Sequence, residues 1–174
     1  MHEVPERLSL RASRCGEMTL DGVRLGEEHL LPGARGLRAP LSCLNEARFG
    51  IIFGALGAAR DSLLSALDYT IGREQFGKPL AGFQLVQAEL ADMAAELAAA
   101  FALAVHLGRI KDAGRITPAQ VSLGKRTSAA TALAIARRAR ALHGANGVLL
   151  DHPPMRHAAN LESVVTYEGT HEMH

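Results

Sequence analysis

The chain has 174 residues, enough for one domain with a buried core, and a net charge of +1 that gives no electrostatic pull toward nucleic acid or an anionic membrane surface. No apolar run reaches the length of a membrane span, and the start lacks the basic and apolar regions of a secretory signal. The two cysteines, Cys15 and Cys43, lie far apart without metal-type spacing, which reads as reduced thiols in a cytoplasmic protein.

Residues 1–35 read as β. Leu8 to Arg11 alternates, and Met18-Thr19-Leu20 and Val23-Arg24-Leu25 flank Asp21-Gly22, a hairpin signal. Two or three strands make no stable sheet alone, so the stretch reads as part of a larger one. Pro32-Gly33 marks a link.

From about residue 40 the period becomes helical. Leu44, Ile51, Ile52, Leu56, Leu63 and Leu67 share one stripe to about residue 70, where Gly72 and the turn Phe76-Gly77-Lys78-Pro79 end the helix. A second helix runs from about Phe83 to Lys111, with Val86, Leu90, Met93, Leu97, Ala100, Ala104 and Leu107 on its face, and Asp112-Ala113-Gly114 stops it. Thr117, Pro118 and Gln120 then form an N-cap, a first-turn proline and a capping box for a third helix reaching about His143. Three helices of roughly 28 residues are each on the order of 40 Å long, which predicts an antiparallel bundle. The abundant alanine favours close packing. A short helix is expected around Arg156–Ser163, and another begins at His171.

The stretch Val164-Val165-Thr166-Tyr167-Glu168-Gly169-Thr170-His171 concentrates the chemistry. Its apolar flank withdraws water from Glu168, and a desolvated carboxylate is a stronger base. Gly169 leaves room for a ligand and permits a turn, while Thr170 suits the N-cap of the helix expected at His171. An exposed Glu at a helix corner satisfies the same eight residues. Glu168-x-x-His171 also has di-iron spacing, but such sites need a second copy and two further Glu, and Gly169 interrupts this one. Arg73-Glu74-Gln75-Phe76-Gly77 is either a phosphate fork with a ring-lining Gln and Phe or an Arg complementing a helix C-terminus. Gly144-Ala145-Asn146-Gly147 is either backbone near a nucleotide or a helix stop, and it is no dinucleotide fingerprint. Asn45 and Arg48, one turn apart, could meet a phosphate or adenine or simply face water. Lys125, Arg126, Arg137, Arg138 and Arg140 read as a solvated face of the third helix.

Together these pieces resemble the acyl-CoA dehydrogenase family, most closely its glutaryl-CoA branch. The resemblance rests on Cys43 to Gly50, on Arg73-Glu74-Gln75-Phe76-Gly77 with Phe83-Gln84-Leu85 and Leu90-Ala91-Asp92-Met93, and on Arg156-His157, Asn160-Leu161-Glu162 and Tyr167 to His171. It implies a mainly α fold: residues 1–35 as the end of a middle β-domain, and 36–174 as a C-terminal helical bundle whose last helix is missing. It implies FAD-dependent α,β-dehydrogenation of an acyl-CoA, with oxidative decarboxylation of glutaryl-CoA to crotonyl-CoA as the specific case. Glu168 then matches the base that removes the α-proton, its backbone N–H helping to hold the thioester carbonyl. Thr170, Ala141, Leu142, His143, Gly144 and Ala145 match FAD contacts, and Arg73 and Gln84 match residues reaching the FAD of a neighbouring subunit. Asn45, Arg48 and Gly169 match substrate contacts. Ala145 departs from the pattern, because the family carries two adjacent glycines there. The resemblance further implies a homo-oligomer and electron-transfer flavoprotein as electron acceptor. The groups that hold a distal carboxylate lie in the family's other domains. A truncated, non-catalytic helical piece acting in oligomerisation or cofactor completion is the alternative.

Overall fold

The computed structural model describes residues 2–174. Among these, four α-helices dominate: α1 (Arg38–Gly72), α2 (Gln84–Asp112), α3 (Pro118–Leu142) and α4 (Pro153–Thr166). Two small antiparallel pairs accompany them, β1 (His2–Glu3) with β2 (Gly16–Glu17), and β3 (Glu74–Gln75) with β4 (Lys78–Pro79).

Side-chain pairs fix the helix directions. Lys111 at the end of α2 meets Glu46 near the start of α1 at 2.7 Å, and Arg138 late in α3 meets Glu89 and Glu96 early in α2. Ser65 and His143, both at late ends, bring α1 and α3 together in parallel. Lys125 early in α3 meets the end of α4. The bundle therefore runs up-down-up-down, as the short connections between long helices require.

The core is built from small side chains. α1 buries Ile52, Ala55, Leu56, Ala59, Ser62, Ala66 and Thr70. α3 buries Val121, Gly124, Ser128, Ala129, Ala132, Ile135, Ala136 and Ala139. A Cβ at Gly124 would lie 2.5 Å from both Ile52 Cδ1 and Leu107 Cδ1, so glycine is what lets α3 approach α1 and α2 this closely. Thr117 and Gln120 form the expected capping box, and Pro118 opens α3. Gly114 ends the α2 connection with φ +68. The β3–β4 turn holds Phe76 at φ +54 and Gly77 at φ +79, the two positive angles of a type I′ turn, whose twist suits a two-residue hairpin.

Several expectations need correction. The hairpin around Asp21-Gly22 does not form: Gly22 takes φ +60, but residues 18–25 are exposed loop. Turn chemistry alone cannot pair strands that lack a sheet to lie on. The segment instead ties to the bundle, where the Ser9 and Ser163 hydroxyls lie 2.5 Å apart and Asn160 Oδ1 accepts from the Leu10 N–H. On α1 the alanine face displaces part of the leucine stripe, leaving Leu67 37% exposed. α4 begins earlier than expected, because Pro153 and Pro154 fit a first turn that needs no backbone N–H. α1 and α2 are each long and apolar enough, by length and composition, to cross a membrane. Their Ala content raises the average without any long run of Leu, Ile or Val, which is why no such run is visible in the sequence.

Candidate functional site

Two sites lie at opposite ends of the bundle. At the first, α4 ends in Tyr167, whose backbone is extended, and the chain then turns sharply through Glu168 at φ +53 and Gly169 at φ +102. A non-glycine residue in this left-handed region costs on the order of 1–3 kcal/mol and persists only where its surroundings hold it. Two cations do so. Arg48 Nε on α1 donates to the Glu168 carbonyl at 2.7 Å. Lys125 Nζ on α3 donates to the Gly169 carbonyl at 2.7 Å, to Tyr167 at 3.0 Å and more weakly to Val165 at 3.5 Å. An ammonium has three N–H donors, and here each meets a carbonyl, the acceptors left over at a helix C-terminus.

Lys125 is 1% exposed. Burial lowers its pKa, the neighbouring Arg48 charge lowers it further, and Glu168 opposes both. Glu168 itself is half-buried, and its Oε2 is buried without a hydrogen-bond partner among the described residues. The Tyr167 hydroxyl is raised by burial and by Glu168. The His174 ring sits beside the turn. Its Nδ1 lies 3.0 Å from Ser122 Oγ, and burial with the Lys125 and Arg48 charges lowers its pKa. A Cβ at Gly169 would stand 2.8 Å from His174 Nε2, so the ring closes over the glycine. Asn45 is half-buried three residues before Arg48, on the same side of α1.

At the other end, Arg73, Gln75, Ala141, Leu142, Gly144 and Ala145 line one cleft of about 300 Å³ with Tyr69, Leu80, His143 and Asn146. Gly144 has φ +58 with nothing within 4 Å of a Cβ, so its backbone is open to approach. Ala145 is exposed and lines the same cleft. Gly144, directly after the C-cap His143 and at φ +58, is also the helix stop, while a Cβ at Gly147 would collide with the Arg140 carbonyl. His143 is 1% exposed. The Ala139 carbonyl lies 2.8 Å from His143 Nδ1 and can only accept, so Nδ1 carries the proton and Nε2 faces Ser65 Oγ at 3.1 Å. Burial lowers the His143 pKa, the Ala139 carbonyl opposes this, and His152 adds to it. Tyr69 stacks on the ring with centroids 4.6 Å apart. Gln84, the first residue of α2, is exposed at this end.

The structure thus brings Glu168, Gly169, Arg48 and Asn45 to one end, and Arg73 with residues 141–145 to the other. Arg48 and Arg73 are 25 positions apart along α1 and its cap, about 37 Å at 1.5 Å per residue. Thr170 precedes the 3₁₀ turn His171–Met173, but its side chain makes no capping hydrogen bond. Glu168 and His171 are separated by that left-handed turn and share no helix face. The solvated-face reading of α3 fails for Lys125, which is buried, whereas Arg126 and Arg137 are exposed and Arg138 and Arg140 half-buried. Arg138 joins Glu89 and Glu96, Arg137 pairs with Glu162, and Arg126 donates to the His171 carbonyl. Lys125 instead belongs to the Glu168 turn, where it holds three carbonyls. Its signal was present: it falls four residues after Val121 and four before Ala129, on the buried stripe.

Residues 34–174 match the family model described as acyl-CoA dehydrogenase, C-terminal domain. Among solved structures, the chain is similar to glutaryl-CoA dehydrogenase from Mycobacterium smegmatis, at 59% identity and TM-score 0.97 over 99% of this chain and 44% of that one. A second structure of a glutaryl-CoA dehydrogenase from that organism, in complex with FADH2, matches at 58% identity and TM-score 0.97 over 99% of this chain and 45% of that one. Glutaryl-CoA dehydrogenase of Desulfococcus multivorans is 33% identical over 95% of this chain and 43% of its own length. The chain spans less than half the length of these relatives.

Proposed function

The chain belongs to the acyl-CoA dehydrogenase family, and from that premise we propose that it is the C-terminal part of an FAD-dependent enzyme that dehydrogenates an acyl-CoA thioester, with glutaryl-CoA as substrate. The observation that carries the reading is Glu168: a carboxylate with one oxygen buried and unpartnered, on a strained turn held by two cations. Glutaryl-CoA is favoured because identity to the Mycobacterium smegmatis glutaryl-CoA dehydrogenase is 59%, against 29% to the butyryl-CoA dehydrogenase of Megasphaera elsdenii.

In this reading Glu168 takes the α-proton of the thioester onto its carboxylate. The Glu168 N–H supports the thioester oxygen as charge develops there. Asn45 and Arg48 line the CoA path, and Gly169 is a backbone contact for the substrate. The cleft around Arg73 suits part of a dinucleotide, since it combines an exposed guanidinium, an open glycine backbone and the edge of an aromatic stack. Arg73, Gln84 and residues Ala141 to Ala145 would hold one FAD there, and Thr170 would touch a second FAD at the Glu168 end. FAD, when bound, supplies the two-electron acceptor for the β-hydrogen. One dinucleotide does not span the distance between the ends, which supports a homo-oligomer in which each end serves a different copy. Electron-transfer flavoprotein as acceptor, a cytoplasmic location, helices α1 and α2 as bundle elements rather than membrane spans, and the division at residue 35 belong to the same proposal.

The test is turnover by the full-length protein with a flavoprotein acceptor. Stoichiometric flavin absorbance, preference for glutaryl-CoA and one CO₂ released per turnover are expected. A preference for butyryl-CoA of about ten-fold or more without CO₂, a discrimination a modest pocket change can supply, would overturn the glutaryl assignment.

A further inference from the structure

The buried ammonium of Lys125 has no part in the chemistry above, yet it touches the backbone on both sides of Glu168. We propose that Lys125 is a positioning residue for Glu168: by holding the Tyr167 and Gly169 carbonyls it fixes the peptide planes that aim the carboxylate and its N–H. The proposal rests on Glu168 as the base.

The argument is geometric. The described residues contain no cis peptide, and in a trans peptide C=O and N–H point in opposite directions. The Tyr167 carbonyl is drawn to Lys125 Nζ, so the Glu168 N–H points away from α3. The Glu168 carbonyl is drawn to Arg48 Nε, which settles the next plane. With the Gly169 carbonyl also on Lys125, both bonds about the Glu168 Cα are fixed in the left-handed region that the residue would otherwise leave. Capping of α4 alone would call for carbonyls of its last turn. Instead the two shorter bonds go to Tyr167 and Gly169, past the helix end and flanking the carboxylate.

The charged and titratable groups facing Glu168 are Arg48 from α1, Lys125 from α3, and Tyr167 and His174 from its own segment.

The test is Lys125→Met in the full-length holoenzyme, with Lys125→Gln as a second variant that keeps polar donors. Amide exchange of the 165–170 peptide should accelerate about ten-fold or more while the α1 and α3 core peptides stay protected. kcat should fall about 10–100-fold with KM within about two-fold, as misplacement of a catalytic group does. Unchanged local exchange with unchanged kcat would overturn the proposal, and so would global unfolding of both variants, which would make Lys125 a determinant of the whole fold. Glu168→Gln is measured in parallel. Normal turnover there would defeat the base reading alone, since the exchange result reports on positioning whatever Glu168 does.

Discussion

Glu168 and its neighbours show how a site can be legible in its chemistry and hidden in its mechanics. The carboxylate, glycine and apolar flank are written in eight consecutive residues, and the structure buries one oxygen of that carboxyl on a turn whose backbone is held from α1 and α3. The two cations on its backbone come from 120 and 43 positions upstream, and no local pattern links them to it. Gly169 is a direct test at this scale. Its φ of +102 and the 2.8 Å approach of a Cβ to His174 Nε2 leave no room for a side chain. Gly169→Ala should lose about 1–3 kcal/mol in urea unfolding, with a larger fractional loss of activity than of stability, because the strain falls on the base. Stability equal to the parent would mean that the turn relaxes without cost.

At the scale of elements, propensity and capping succeeded where packing partners were local. The capping box of α3 and the Gly114 stop needed only neighbours in sequence, and both are present. Thr117→Ala should lower stability by about 1 kcal/mol in thermal unfolding, the usual worth of an N-cap. The leucine stripe on α1 was a poorer guide, because alanine and glycine set the contacts with α3 and large apolar residues were displaced outward. Gly124 marks the tightest contact. Gly124→Val should destabilise by about 1–3 kcal/mol, through overpacking against Ile52 and Leu107 that outweighs valine's lower chain entropy. The Asp21-Gly22 hairpin failed for the opposite reason. Its turn residue adopts the expected backbone angle, but the flanking strands have nothing to pair with.

For the molecule as a whole, the bundle was readable from three long periodic segments with short links, whereas the opposition of the two candidate sites was not. It follows from the length of α1, which carries Arg48 near its start and leads into Arg73. The Arg73 end also sets a pH response. His143 is neutral in the fold, with its pKa depressed below the ordinary 6.5 by burial, while the unfolded chain takes up a proton at that ordinary value. Its stabilising contribution is therefore complete above about pH 6.5 and is lost as pH falls toward the depressed value. Tm should drop from about pH 7 to about pH 5, and His143→Gln should flatten that drop. An unchanged slope would remove His143 as its source.

The most direct test of the central claim is exchange of the thioester α-proton with solvent deuterium by the full-length holoenzyme carrying Glu168→Gln. Loss of exchange by about 10²-fold or more, with flavin content intact, is the expected result for removal of the proton-abstracting group. Near-normal exchange would contradict it, and would leave Glu168 as no more than the strained corner at the end of α4.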